Sequence, residues 1–151
     1  MEVRLAFDRP TSAGYLANRL ARLLATNLAA RIRPLGISPA QFSVLVELAL
    51  TGGLTQRDLA RRLDVEQATM AQTLSRMRRD GQVRVEPHET DARARRIFLT
   101  DQARAVLDDA MTAASEVNAD ALAFLPPHER ERFVRDMKRV VDHLHALAHG
   151  R

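Results

Sequence analysis

The chain has 151 residues, enough for one domain, or one intimate pair of subdomains, with a real hydrophobic core. Its 23 basic side chains against 19 acidic ones leave a formal charge of +4, too small to select a partner unless the charge is clustered. Without cysteine, disulfides and thiol redox chemistry are excluded, and no apolar run resembles a signal peptide or reaches membrane-spanning length, so a soluble cytoplasmic protein is expected.

Met1 to Pro10 carries little pattern and reads as a loose arm. Thr11 or Ser12 can cap a first helix whose apolar series is Tyr15, Leu16, Leu20, Leu23, Leu24, Leu28 and Ile32, closed by Pro34 and Gly36. Ser38-Pro39 opens a second helix, with proline in the first turn where its missing donor does no harm. Its expected stripe is Phe42, Leu45, Val46, Ala49 and Leu50, and Gly52-Gly53 ends it.

The stretch from Leu54 to Thr100 is the most informative. Thr55 can cap a short helix, with Asp58 in a capping-box position, Leu59, Ala60 and Leu63 as the buried stripe, and Arg57, Arg61 and Arg62 toward water. After Leu63-Asp64-Val65 comes another helix, with Met70, Thr73, Leu74 and Met77 on one face. Gln67, Ala68, Ala71, Gln72, Ser75 and Arg79 then point outward, Thr69 and Arg76 lie on the flanks, and Asp80-Gly81 stops the helix. The period next becomes alternating: Val83 and Val85 face one way, a polar tip runs from Pro87 to Ala94, and Ile97-Phe98-Leu99 returns. This order predicts a mainly α fold with a small β-hairpin wing, a winged helix-turn-helix whose second helix enters the major groove of double-stranded DNA. Ten arginines and seven acids lie in the stretch, and Arg93, Arg95 and Arg96 crowd the hairpin. Such a run is commonly a solvated face; its place on a hairpin beside the second helix is what points to nucleic acid.

Thr100 or Asp101 can cap a long helix reaching about Phe124, with Val106, Leu107, Ala110, Met111, Ala114, Val117, Ala121 and Leu122 on one broad side. Pro126-Pro127 breaks the chain, and a last helix from about His128 carries Phe133, Met137, Val140, Val141, Leu144 and Leu147. These terminal apolar faces are wider than the central lobe can cover. At roughly 25 cal/mol per Å² of apolar burial, a homodimer through the first helix and the last two is expected to cover them, with a monomer folded back on its own core as the alternative.

The central run resembles the DNA-binding lobe of the MarR family of bacterial regulators. The resemblance is carried by Leu54-Thr55, Leu59-Ala60, Val65, Thr69, Leu74, Arg76, Gly81, Asp91-x-Arg93 and Leu99-Thr100, and more weakly by the flanking helices. It implies one domain over 1–151, with 37–100 as the winged lobe and 11–35 and 101–149 as dimerisation helices. It further implies a homodimeric repressor of palindromic operators, relieved by a small-molecule effector and needing no cofactor. Three departures from the family stand out. Gln72 and Ala71 stand where arginine and a hydroxyl residue are common, Val85 stands at the first wing strand's arginine with Arg84 one residue early, and Ala103 replaces a glycine.

Base reading falls to Gln67, Thr69 and Gln72, with Ala68 and Ala71 short enough to permit close approach. Arg76 is expected on a phosphate or in an internal ion pair, and Thr55 and Gln56 at a helix start suit a phosphate. Arg93 resembles the family's wing-tip arginine, which enters the minor groove, with Arg95 beside it; Asp91 is expected to orient the wing arginines. Tyr15, Arg19, Phe42 and Met70 can line an effector crevice, with core packing the competing role for the apolar three. His145 and His149, spaced i,i+4 near Asp142 and His143, leave a metal-responsive regulator open, though no third ligand is identifiable and no metal is assigned. No catalytic constellation appears, so no enzyme is expected. A winged-helix module that binds another protein is the remaining alternative.

Overall fold

The computed structural model describes residues 8–150, without the side chains of Arg9 and His149. Of the arm expected at Met1–Pro10, residues 1–7 lie outside that description, and Arg9–Thr11 forms one 3-10 turn. Helix α1 is Ala13–Ile32, started by Ser12, whose hydroxyl accepts from the Tyr15 amide at 3.3 Å. A 3-10 turn at Arg33–Leu35 follows, and Gly36 at φ +75° takes the left-handed conformation that reverses the chain. Helix α2, Pro39–Thr51, opens on a full capping box: the Gln41 amide donates to Ser38 Oγ at 3.3 Å, and the Ser38 amide to Gln41 Oε1 at 2.8 Å.

That box sets the phase of α2 and corrects the expected stripe. Gln41 turns inward to reach Ser38, so the buried series continues at i+3, i+4 and i+7 with Val44, Leu45 and Leu48. Ala49 and Leu50 fall on the outside, Leu50 at 75% exposure, while Phe42 and Val46 pack at the margin of the core. An apolar helix of this kind permits two overlapping stripes, and the cap decides between them.

Helices α3, Gln56–Arg62, and α4, Gln67–Arg79, form the helix-turn-helix. Asp64 occupies the turn at φ +52°, a conformation aspartate tolerates better than most residues. Helix α4 ends in a Schellman motif: Gln82 donates to the Met77 carbonyl at 2.8 Å, Gly81 to that of Arg78 at 3.2 Å, and Gly81 sits at φ +72°.

Strands β1, Val83–Pro87, and β2, Arg95–Leu99, pair antiparallel with Val83 opposite Leu99 and Val85 opposite Ile97. A third partner, absent from the sequence reading, is Leu54: it exchanges backbone hydrogen bonds with Ile97 at 2.8 and 3.1 Å along the other edge of β2. The wing is therefore stitched to the segment between α2 and α3. Its inward side chains Val83, Ile97 and Leu99 join Leu45, Leu48, Leu59, Met70 and Met77 in one core, each fully buried leucine or methionine contributing about 1.5–3 kcal/mol.

Helix α5, Asp101–Ala121, begins where Thr100 Oγ1 accepts from the Ala103 amide at 3.2 Å and donates to the Gly81 carbonyl at 2.6 Å. Ala103, at the family's glycine position, is fully buried and helical. The helix stops short of Phe124 because the chain turns at 122–125, where Arg130 donates to the carbonyls of Ala123 and Leu125 at 2.9 and 2.7 Å.

The chain divides after Ser115, and the second unit holds the end of α5 and helix α6, Pro127–His149. Seven apolar side chains of α6 lie open between 37% and 57% exposure: Phe133, Val134, Met137, Val140, Val141, Leu144 and Leu147. In the first unit, α1 commits only its last turns to the core through Leu28 and Ile32, and leaves Leu16 and Leu23 exposed. Among the described residues no single helix is long and apolar enough to cross a membrane.

Candidate nucleic-acid interface

Thr55 and Asp58 hold the start of α3 in a reciprocal cap. The Asp58 amide donates to Thr55 Oγ1 at 3.1 Å, and the Thr55 hydroxyl donates to Asp58 Oδ2 at 2.7 Å. That hydroxyl, more than the nearby guanidinium groups of Arg61 and Arg62, keeps the Asp58 carboxyl below its ordinary range. Thr55 is thus engaged in its own cap, with the Asp58 carboxylate beside the helix start expected to seat a phosphate.

Helix α4 turns three faces to three surroundings. Met70, Leu74 and Met77 are buried, and Thr73 is half-buried beside them. At 3.6 residues per turn, Gln67, Ala71 and Arg78 share the flank toward the hairpin, Ala68, Gln72, Ser75 and Arg79 point away from the core, and Thr69 and Arg76 share the far flank. All nine are exposed, and the outward set was legible from the sequence.

Between the wing-side flank of α4, the start of α3 and the hairpin runs an open groove of about 740 Å³. It brings together Thr55, Gln56, Gln67, Ala71 and Arg95 from the expected set; Ala68, Thr69, Gln72, Arg76 and Arg93 stand outside its lining. Gln56 and Gln67 are joined by a side-chain hydrogen bond of 3.2 Å. Arg78 and His88 also line the groove and were missed. Arg78 is signalled by its spacing of i+11 from Gln67 and i+7 from Ala71; His88 is placed by the turn 88–94, where its ring Nδ1 accepts from the Thr90 amide at 3.2 Å.

The hairpin's outer face is fastened in a way the sequence did not announce. Arg96 Nη2 donates to the Gly53 carbonyl at 2.9 Å, and its guanidinium lies 5.2 Å from the Phe98 ring centre. Arg84, opposite Phe98 in the ladder, covers the same ring at 4.8 Å and pairs with Glu86. Phe98 rests on Gly53, where a Cβ would meet the ring at 2.3 Å, so any larger residue must displace the ring. Asp91 was expected to orient the wing arginines. Its Oδ1 accepts from the Arg93 backbone amide at 2.9 Å, a local turn, while Arg96 and Arg84 are set by Gly53, Phe98 and Glu86.

Of the residues expected to line an effector crevice, Met70 is buried in the core at 2% exposure, Tyr15 and Phe42 are half-buried, and Arg19 is exposed. Of the histidine pair, the side chain of His149 lies outside the described residues.

Residues 35–94 match the model of the MarR family. The HTH-type transcriptional repressor Rv2887 of Mycobacterium tuberculosis is 28% identical over 136 residues, covering 90% of this chain and 96% of that protein. The solved structure of the M. tuberculosis transcriptional regulator MosR in complex with DNA superposes with a TM-score of 0.74 at 36% identity, covering 90% of this chain and 98% of that one. The PcaV transcriptional regulator of Streptomyces coelicolor, solved with its natural ligand, gives 0.76 at 28% identity, covering 91% and 96%.

Proposed function

Given that this chain belongs to the MarR family and is a DNA-binding transcriptional regulator, we propose that two copies act together as a repressor of palindromic operators, released by a small ligand. The observation that carries this reading is the uncovered face of α4, where short and amide-bearing side chains stand clear beside an arginine-bearing hairpin. In that role Gln67, Thr69 and Gln72 read bases, Ala68 and Ala71 let the helix approach, Arg76 meets phosphate, and Arg93 and Arg95 grip the flanking minor groove. The apolar face of α6, with the exposed leucines of α1, serves twofold pairing, so that 11–35 and 101–149 form the dimer and 37–100 the DNA-binding lobe. Two recognition helices then enter successive major grooves about 34 Å apart. Relief by a ligand is supported by PcaV with its natural ligand, and repression by Rv2887. The mechanism is geometric: a ligand that binds one separation of the two lobes better than the other shifts the population away from the operator-competent one.

Selection from randomised duplexes tests the reading. Enrichment of two inverted half-sites about 10–10.5 base pairs apart is expected. Enrichment of a single half-site, or of none, overturns it.

A further inference from the structure

Gln56 and Gln67 begin the two helices of the helix-turn-helix, and their side chains meet in the groove. Gln56 Nε2 lies 3.2 Å from Gln67 Oε1 and 3.4 Å from the backbone oxygen of the same residue. A backbone carbonyl only accepts, so the Gln56 atom facing it is nitrogen and not oxygen. A nitrogen there in turn requires that the neighbouring side-chain atom of Gln67 be its oxygen. The backbone contact therefore orients both amides. With its oxygen turned toward α3, Gln67 has its two N–H donors free for the exposed flank of α4, where Ala71, one turn on, leaves room for a base edge.

We propose that Gln56 is a positioning residue for sequence readout, holding Gln67 with its N–H donors outward, toward keto acceptors such as guanine O6 and N7 or thymine O4. A free glutamine amide pairs bidentately with adenine because it offers a donor and an acceptor side by side. Here Gln56 engages one of the two lone pairs of that acceptor and turns the N–H edge outward, which favours keto acceptors over the adenine pairing. The inference rests on the reading that α4 enters the major groove, and it gives Gln56 a role other than phosphate contact.

The test compares sequence selection and salt-dependent affinity for the full chain and for Gln56→Ala, Gln67→Ala, the double variant and Gln56→Glu. Gln67→Ala and Gln56→Ala should each lose about tenfold discrimination of keto over amino bases, at the same base pair of each half-site. The double variant should lose no more than Gln67→Ala, and non-specific binding of Gln56→Ala should keep its salt slope. Gln56→Glu places an acceptor where a donor stood, so Gln67 must turn its N–H groups inward and present oxygen. Its preference should move to adenine N6 or cytosine N4. An unchanged preference in Gln56→Ala, with Gln67→Ala altered, overturns the positioning role alone. A uniform loss with a shallower salt slope overturns it too, by making Gln56 a phosphate contact. An unmodified chain that selects no sequence overturns the reading of α4 itself.

Discussion

The Arg96 guanidinium donates to the Gly53 carbonyl from Nη2 at 2.9 Å and from Nε at 3.3 Å, joining the wing to the end of α2 across 43 residues of chain. Phe98 lies against both partners, its ring centre 5.2 Å from the guanidinium and its edge over Gly53. The wing is thus held at its root, beside the Leu54–Ile97 bridge, while its tip at 88–94 is held by its own turn and by Glu89, 3.9 Å from Arg96.

Gly53→Ala should destabilise the protein by about 1–3 kcal/mol, because a Cβ 2.3 Å from the ring forces Phe98 and then the hairpin to shift. Chemical denaturation measures the cost. Adding Phe98→Leu should restore part of what is lost, since the shorter side chain vacates the contact. A double variant less stable than Gly53→Ala alone would mean the ring is not what excludes the methyl.

This joint marks the boundary of what the sequence disclosed. Hydrophobic period and stop signals located α1 to α6 and the hairpin, because each rests on neighbours within a few residues: Thr55 with Asp58, Gly81 with Arg78, Met70 with Leu74. Arg96 with Gly53, Leu54 with Ile97 and Gln56 with Gln67 join residues 43, 43 and 11 apart, and no local spacing encodes them. The stripe of α2 was misplaced for a related reason: periodicity alone allowed two phases, and the inward turn of Gln41 selected one. In the site, α4's outward face followed from 3.6 periodicity, whereas Arg78 and His88 become groove residues only once the hairpin is folded beside it.

The Thr55–Asp58 cap should make stability depend on pH at its acidic end. Folding lowers the Asp58 carboxyl from its ordinary value of 3.8, so the unfolded chain takes up that proton first as pH falls. The stabilisation is complete above that value and is lost as pH drops through the lower folded one. The stability difference between the wild-type chain and Asp58→Asn should stay level above about pH 5 and shrink below it. A difference that held constant down to pH 2 would remove the ionised carboxylate from the cap.

The open face of α6 should be covered in solution. Val140 and Leu144 are 57% and 56% exposed on the single chain, and a charge placed there costs several kcal/mol once the face is buried. Val140→Asp should therefore convert the dimer to a 16.9 kDa monomer or to aggregate, as read by light scattering, whereas Arg135→Asp on the opposite side of the helix should leave the mass unchanged. A wild-type chain that scatters as a monomer at working concentration removes the twofold operator as well.

Gln72 and Arg93 should separate sequence choice from grip. Gln72 projects from the middle of α4 beside the small side chains of Ala68 and Ala71, exposed and with no charge to give a phosphate. Gln72→Ala should cost about 1–3 kcal/mol on the preferred operator and relax one base pair in each half-site, with non-specific affinity and its salt slope unchanged. Arg93 is exposed at the wing tip, its backbone fixed by Asp91, where its cation can displace a counterion from a phosphate. Arg93→Ala should weaken all duplexes and reduce the salt slope by about 1, with the larger loss where an A/T-rich flank narrows the minor groove. Gln72→Arg, which offers two donors in place of one donor and one acceptor, should move the same base pair toward guanine. The two residues must fail in different ways. If Gln72→Ala lost affinity uniformly, or Arg93→Ala changed base preference within the half-site, the helix would not lie in the groove with the wing on its flank.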